Sequence, residues 1–395
     1  MRILYLADIR FPLDRANGIQ TMETCYALVE RGHEVRLLVR PDTARQPRDP
    51  FEFYGLAPLA SLQIERVPVT GPEPVRRLTY VGAAVGAALG GRRRVDVVMT
   101  RDLMVGATAL RAPRWGRAPI VYESHGLAPV FAETQPDMLS GGRGAPGRKL
   151  RRLAARELRV WRRAEGYVTI TQGLADDLAS RFGPRRNVAV VPDGARVDPA
   201  RRFSVPAPGP SPLVVYAGHL YPRKGVAVLI RALAHLPHVR AAIAGGHPAE
   251  GDRARLESLA SGLGLSARVT FTGFISRADV PGLLGSADVV VMPHTSTPVS
   301  DRYASPLKLF EYMAAGKPIV ASNLSAVREV LRDGETACLV APGDDRALAA
   351  GIARVLDDRT LAARIAHAAF DEAEAYTWAR RADRLEAVLA GAARS

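Results

Sequence analysis

The chain has 395 residues, 47% of them hydrophobic and 24% charged, and a formal charge of +14. That length holds about two domains of ~100–200 residues each, and the balance is that of a folded globular protein without a run of ~18 apolar residues able to cross a membrane. The basic excess, 30 cations against 20 anions in residues 1–195 but 24 against 20 in 196–395, suits anionic lipid or a phosphorylated substrate; nucleic acid is disfavoured, because no helix-turn-helix, RNA-binding motif or aromatic interleaving accompanies it.

The N-terminus runs directly into a strand, Ile3–Ala7, with no secretory signal. A loop, Arg10–Gly18, leads to a helix from about Ile19 to Glu30, closed by Arg31-Gly32-His33, and a strand at Val35–Val39. This βαβ unit predicts a parallel sheet, whose ligands gather at the carboxyl ends of its strands. Gly18 stands at such an end, where a turn alone would also explain it. Val95–Asp102 and Pro119–Gly126 read as further strands with their exits, the second ending in His125. The first cysteine, Cys25, and its distant companion Cys338 read as buried reduced thiols of a cytoplasmic protein.

From Leu139 to Glu165 the chain is strongly basic: Arg143, Arg148, Lys149, Arg151, Arg152, Arg156, Arg159, Arg162 and Arg163 face only Glu157 and Glu165. Leu150, Leu153, Leu158 and Trp161 make the segment amphipathic. Its plain reading is a surface helix with its arginines in water. Its functional reading is a peripheral membrane contact through Arg148–Arg163, at the inner face of a membrane, or a patch for a phosphorylated acceptor. The glycines of Gly141-Gly142-Arg143-Gly144 suggest a loop near that acceptor. Tyr167–Thr171 is a strand, Gln172 opens a helix to Phe182, and Val188–Val191 runs into the turn Pro192-Asp193-Gly194. The proline-rich stretch 195–212 is a linker.

The second half repeats the plan. The strand Leu213–Ala217 enters the loop Gly218–Gly225, and a helix follows from Val226 to Leu236. Arg223 and Lys224 stand at a strand-to-helix turn, where cations and free N–H groups suit a diphosphate. Strands follow at 241–246, 269–275 and 288–293, with a helix near Arg253–Leu263 and a loop at His294–Ala304. Then comes Ser305-Pro306-Leu307-Lys308-Leu309-Phe310-Glu311-Tyr312-Met313-Ala314-Ala315-Gly316-Lys317-Pro318, which predicts a short amphipathic helix capped at Gly316 before the core strand Ile319-Val320-Ala321. Glu329 falls in a later predicted helix, 338–340 is a final or edge strand, and 345–357 and 359–390 are helical, interrupted near Tyr376-Thr377-Trp378. Asp176-Asp177 and Asp344-Asp345 read as surface caps, and no metal site is expected. No Gly-x-Gly-x-x-Gly follows the first strand, which disfavours a dehydrogenase.

The stretch from Ser305 to Ser322 resembles the signature of the group 1 glycosyltransferases, family 4, which retain anomeric configuration. The resemblance extends over most of the chain and implies an α/β GT-B fold: two Rossmann-like domains whose parallel sheets face across a cleft. It places an acceptor domain at 1–194, a nucleotide-sugar domain at 213–372, and a last helix in 373–395 that packs back on the first domain. It implies transfer of a sugar from a UDP- or GDP-linked donor to a hydroxylated acceptor, with no cofactor or metal. His125 would face the donor sugar, Lys224 the diphosphate and Glu311 the ribose. Gly18, Ser305 and Leu307 would bring backbone close to the diphosphate or sugar, Lys308 would add charge, and Phe274 would border the base. Two positions depart from the pattern: Tyr303 stands where the family has a glutamate, and His219 where it has an arginine, with Arg223 as a compensating neighbour. Those two departures support the alternative of a weak or inactive nucleotide-sugar-binding relative. The oligomeric state is left open.

Overall fold

A computed structural model describes residues 1–43, 46–90, 94–134, 145–198, 203, 205, 207–246 and 251–395. The chain divides into two compact units. The first is Met1–Phe131, Pro146–Asp193 and Trp378–Ser395; the second is Gly194–Thr377 with the described ends of 132–145. The expected loop at Gly141–Gly144, with Arg143, lies outside the described residues.

The first unit is built on a seven-stranded sheet. Its strands are β1 (Arg2–Arg10), β2 (Glu34–Arg40), β3 (Leu62–Arg66), β4 (Val97–Thr100), β5 (Ile120–Ser124), β6 (Gly166–Thr169) and β7 (Val188–Val190), in the spatial order β3-β2-β1-β4-β5-β6-β7. The second unit carries β8 (Leu213–Ala217), β9 (Arg240–Ala244), β10 (Val269–Gly273), β11 (Val289–Met292), β12 (Ile319–Ser322) and β13 (Cys338–Val340), in the order β10-β9-β8-β11-β12-β13. Every described strand pairing is parallel. The order reverses between β1 and β4 in one sheet and between β8 and β11 in the other, and such switch points are where open α/β sheets bind ligands.

The second sheet shows how the sequence enforces this. Side chains alternate across a strand, so each strand needs apolar residues on both faces. Val214, Tyr216, Val289 and Val291 join one buried cluster, whereas Val215, Ala217, Val290 and Met292 join the other. The helices Val226–Ala234 and Asp345–Asp357 cover the first face, and Leu307–Ala314 covers the second.

Several expected boundaries shift. The first helix begins at Ala16, so Gly18 lies inside its first turn rather than ahead of it. The strand β3, the helix Pro50–Tyr54 and the helix Glu73–Gly90 are additional elements that the sequence analysis did not assign. Glu329 is the residue that follows the four-residue helix Ser325–Arg328, not a member of it. The basic helix is Gly147–Arg163; Glu157, Val160 and Trp161 are its buried residues, and Arg148, Lys149, Arg151 and Arg152 are exposed. The last helix, Trp378–Arg394, packs on the helix Ala16–Glu30 and on β4, β5 and β6 of the first unit.

Candidate functional site

In the second unit the carboxyl ends of β8 and β11 lie side by side at the switch point. The chain leaves β8 through Gly218, at a φ of 145° that favours glycine. A Cβ there would stand 2.5 Å from the Lys308 Nζ, so the lysine head lies directly against this loop. At Gly225 the approach is closer: a Cβ would fall 1.6 Å from the Pro293 carbonyl oxygen. That contact presses the loop of Arg223 and Lys224 against the exit of β11, where the next residue is His294. The Arg223 carbonyl accepts from the Thr295 N–H at 3.1 Å, which ties the two exits together.

Four basic side chains share this corner. Lys308 is 7% exposed, and its ammonium sits 3.8 Å from the centroid of the Tyr216 ring. That face attracts a cation, but Lys308 Nζ has no hydrogen-bond partner. Burial pushes its pKa down to about 7, with Arg223 adding to the push and Glu311 opposing it. Lys224, half-buried, is held well below the ordinary lysine range by burial and by the Arg223 and Lys308 charges. His294 is 1% exposed; burial and the three neighbouring cations keep it neutral, and its Nε2 is also without a partner. The buried Arg223 Nε is the third such atom. Unpaired polar atoms in a protein interior are costly, and three of them converge in this corner.

The helix Leu307–Ala314 positions the remaining groups. Pro306 precedes it and Gly316, at φ 60°, follows its end. Leu309, Phe310, Tyr312 and Met313 are buried, and Ala217 donates its N–H to the Tyr312 hydroxyl at 2.9 Å, which fixes the helix on β8. Glu311 stays half-buried, its Oε1 3.6 Å from the Arg277 guanidinium. Ser305 is half-buried; Leu307 and Tyr303 are buried. His219 stacks on Tyr221 with ring centroids 5.0 Å apart, and its carbonyl accepts from the Tyr216 hydroxyl at 2.5 Å. Phe274 is 55% exposed and so lies outside the core.

In the first unit His125 follows β5. Its Nε2 lies 3.0 Å from Oε1 of Glu123, a fully buried carboxylate that also accepts from the Gln20 amide at 2.7 Å and from Arg381. Arg381, 2% exposed, reaches in from the last helix and donates as well to the carbonyls of Val191 and Pro192, each at 2.8 Å. Arg381 and His125 hold the Glu123 carboxyl ionised despite its burial, well below the usual range. Burial, with Arg101 alongside, lowers the His125 pKa in spite of Glu123. A neutral His125 therefore carries its proton on Nε2, facing Glu123, and leaves Nδ1 as an acceptor. Gly18 stands two residues before Gln20. A Cβ on it would fall 2.3 Å from the Leu13 carbonyl oxygen and 2.8 Å from the Tyr54 hydroxyl, so its smallness serves the packing of the preceding loop.

Comparison with known proteins agrees with this construction. Residues 18–194 match the model of the glycosyl transferase 4-like domain, and residues 197–372 match that of the glycosyl transferases group 1. The chain belongs to the group 1 glycosyltransferases. A D-inositol 3-phosphate glycosyltransferase of Mycolicibacterium smegmatis is 28% identical, over 93% of this chain and 84% of its own. The lipopolysaccharide core biosynthesis glycosyltransferase LpsD of Rhizobium meliloti is 33% identical over 49% of this chain and 55% of its own. Among solved structures, the sucrose-phosphate synthase of Thermosynechococcus elongatus superposes with a TM-score of 0.76 at 19% identity, covering 98% of this chain and 97% of that one. The Anabaena protein HepE, solved with UDP-glucose, gives 0.73 at 22% identity and 99% of both chains. These likenesses establish the GT-B fold and a transferase of the glycosyltransferase class.

Within this glycosyltransferase the sequence reading missed three groups. His294 was legible as a polar residue just past a strand end, but was read only as the start of a loop. Glu123 was read as strand. Arg381 gave no local signal at all, because its partner lies 258 residues away.

Proposed function

We propose that this glycosyltransferase takes its sugar from a nucleoside diphosphate sugar and passes it, with retained anomeric configuration, to a hydroxylated acceptor. The observation that carries the reading is the corner of Lys224, Arg223, Lys308 and His294, where three buried polar atoms lack partners. A diphosphate fills that need. Its oxygens accept from all four side chains, and charge that develops on the leaving group meets preorganised cations, which is where catalytic stabilisation is greatest. No metal is required of this arrangement. Glu311 beside Arg277 is placed to accept from ribose hydroxyls, and exposed Phe274 to border the base. Ser305, Leu307 and Tyr303 line the approach for diphosphate and sugar, with stacked His219 taking the place of an arginine. The role of His125 is to accept a hydrogen bond from the sugar through Nδ1, with Glu123 as its positioning residue.

The basic helix Gly147–Arg163 keeps the two uses proposed for it, a peripheral contact with a membrane surface or a grip on a phosphorylated acceptor; its exposed Arg148, Lys149, Arg151 and Arg152 support both equally. No helix among the described residues is long and apolar enough to cross a membrane. The test is a thermal-shift panel of UDP, GDP, ADP and their common sugars, repeated on Lys224→Ala and Glu311→Ala. One nucleotide that stabilises the native protein and neither variant identifies the donor class. No shift with any nucleotide removes the donor reading and favours a relative without transferase activity.

A further inference from the structure

We propose that the first unit holds a second anion site, for a phosphate-bearing group, at the edge of its sheet opposite the strand ends that carry His125. The segments that lead into β5, β6 and β7 meet there around a cavity of about 650 Å³, a volume in the usual range of small-molecule pockets. Seven arginines line it against one carboxylate side chain, Glu165.

Such a gathering of like charge repels itself, so the fate of each guanidinium matters. Arg117 is buried and forks onto Glu165 at 2.8 and 2.9 Å, with Arg114 a further 3.5 Å neighbour of that carboxylate. Arg163 donates to the Leu110 carbonyl at 3.0 Å, and Arg185 to those of Trp161 and Ala164. These contacts consume Glu165 and leave Arg111, Arg162 and Arg186, all exposed, facing the cavity with no ion pair among the described residues. Three forked guanidinium groups around one concavity match the oxygens of a phosphate, which each can bind in pairs. A neighbouring depression shares Arg114, Arg117 and Glu165 and adds Trp115, which is 77% exposed. An exposed indole beside guanidinium groups is also what a lipid headgroup region favours. The chemistry is therefore that of a phosphate, supplied either as a soluble ion or as the headgroup of an anionic lipid.

The experiment compares the protein with Arg111→Ala/Arg162→Ala/Arg186→Ala. Both are built on a Lys224→Ala/Lys308→Met background, so that the other cation cluster does not contribute. A third variant, Arg148→Ala/Arg151→Ala/Arg152→Ala, removes charge from the outer face of the basic helix as a control. Binding of inorganic phosphate is followed by calorimetry. Flotation is followed with vesicles of phosphatidylglycerol in phosphatidylcholine, against phosphatidylcholine alone. The proposal expects one of the two probes to bind, to weaken at least ~tenfold in the pocket variant, to survive in the helix-face control, and to fade with added salt. Phosphate binding marks a soluble ligand; vesicle binding with a blue shift of Trp115 emission marks a lipid headgroup. The substituted arginines are exposed and unpaired, so the pocket variant keeps the parent's melting temperature. Binding of neither probe overturns the proposal, as does binding that is equal in the pocket variant or lost equally in the helix-face control.

Discussion

The two strand-end sites, one after β5 and one after β8, are built alike and charged differently. In the first unit the charges around β5 are paired: Glu123 meets Arg381, His125 and Gln20 through Oε1, while its Oε2 makes no hydrogen bond, and Arg381 also donates to carbonyls and to Thr24. In the second unit the end of β8 gathers Lys308 Nζ, Arg223 Nε and His294 Nε2, none of which has a hydrogen-bond partner among the described residues. A buried charge with its own partner is architecture, and removing either half leaves the other stranded. A buried charge without one is held in place for something the chain does not contain.

The contrast is sharpest in stability. Arg381→Met leaves Glu123 buried and uncompensated, and is expected to cost about 3–5 kcal/mol in urea unfolding. Loss of less than ~1 kcal/mol would mean that the network is not a structural one. Lys224→Ala comes next: it should lower kcat/KM about a hundredfold, ~2.7 kcal/mol of transition-state stabilisation, while the melting temperature without nucleotide holds or rises. Lys308→Met is expected to weaken nucleoside diphosphate binding ~tenfold in calorimetry. It should also raise the ligand-free melting temperature by ~1–3 °C, because an unpaired ammonium is replaced by an apolar chain. A fall in melting temperature would erase the distinction between the two corners.

The smallest effect is in pH. Lys308 titrates near 7 in the free protein, and a bound diphosphate raises that value, so binding takes up a proton. Below pH 7 the lysine is charged before and after binding and affinity is level in this group's contribution. Above pH 7 affinity declines until the raised, bound-state pKa is passed. Calorimetry between pH 7 and 9 should show a severalfold loss that Lys308→Met flattens.

Much of this could be read from residues alone. The double alternation of Val214–Ala217 and Val289–Met292 announces parallel strands buried on both faces, and Pro306, Gly316 and the apolar spacing between them announce one short helix. Lys224 and Lys308 were visible as cations near a strand-to-helix turn and a helix start. Their missing partners were not, since an unsatisfied atom is a property of the surroundings. At Gly18 the resemblance implies a close approach to the diphosphate, and the Leu13 carbonyl and the Tyr54 hydroxyl give a separate packing reason for the absence of a side chain, one that spacing alone does not reveal. Arg381 and the arginines around Glu165 were invisible for a further reason. Their neighbours come from segments scattered along the chain, and no local window records that meeting.

The position of Arg381 has a consequence for biosynthesis. The first unit starts at Met1 and is completed only by Trp378–Ser395, so a ribosome must translate the entire second unit before the first can close. Through that interval the Glu123 carboxylate lacks the Arg381 guanidinium, and the helix Ala16–Glu30 and the sheet lack their cover. The nascent first unit is therefore an open, incompletely neutralised intermediate, and the helix Trp378–Arg394 acts as its latch. Loss of that helix alone would strike the folding of the beginning of the protein.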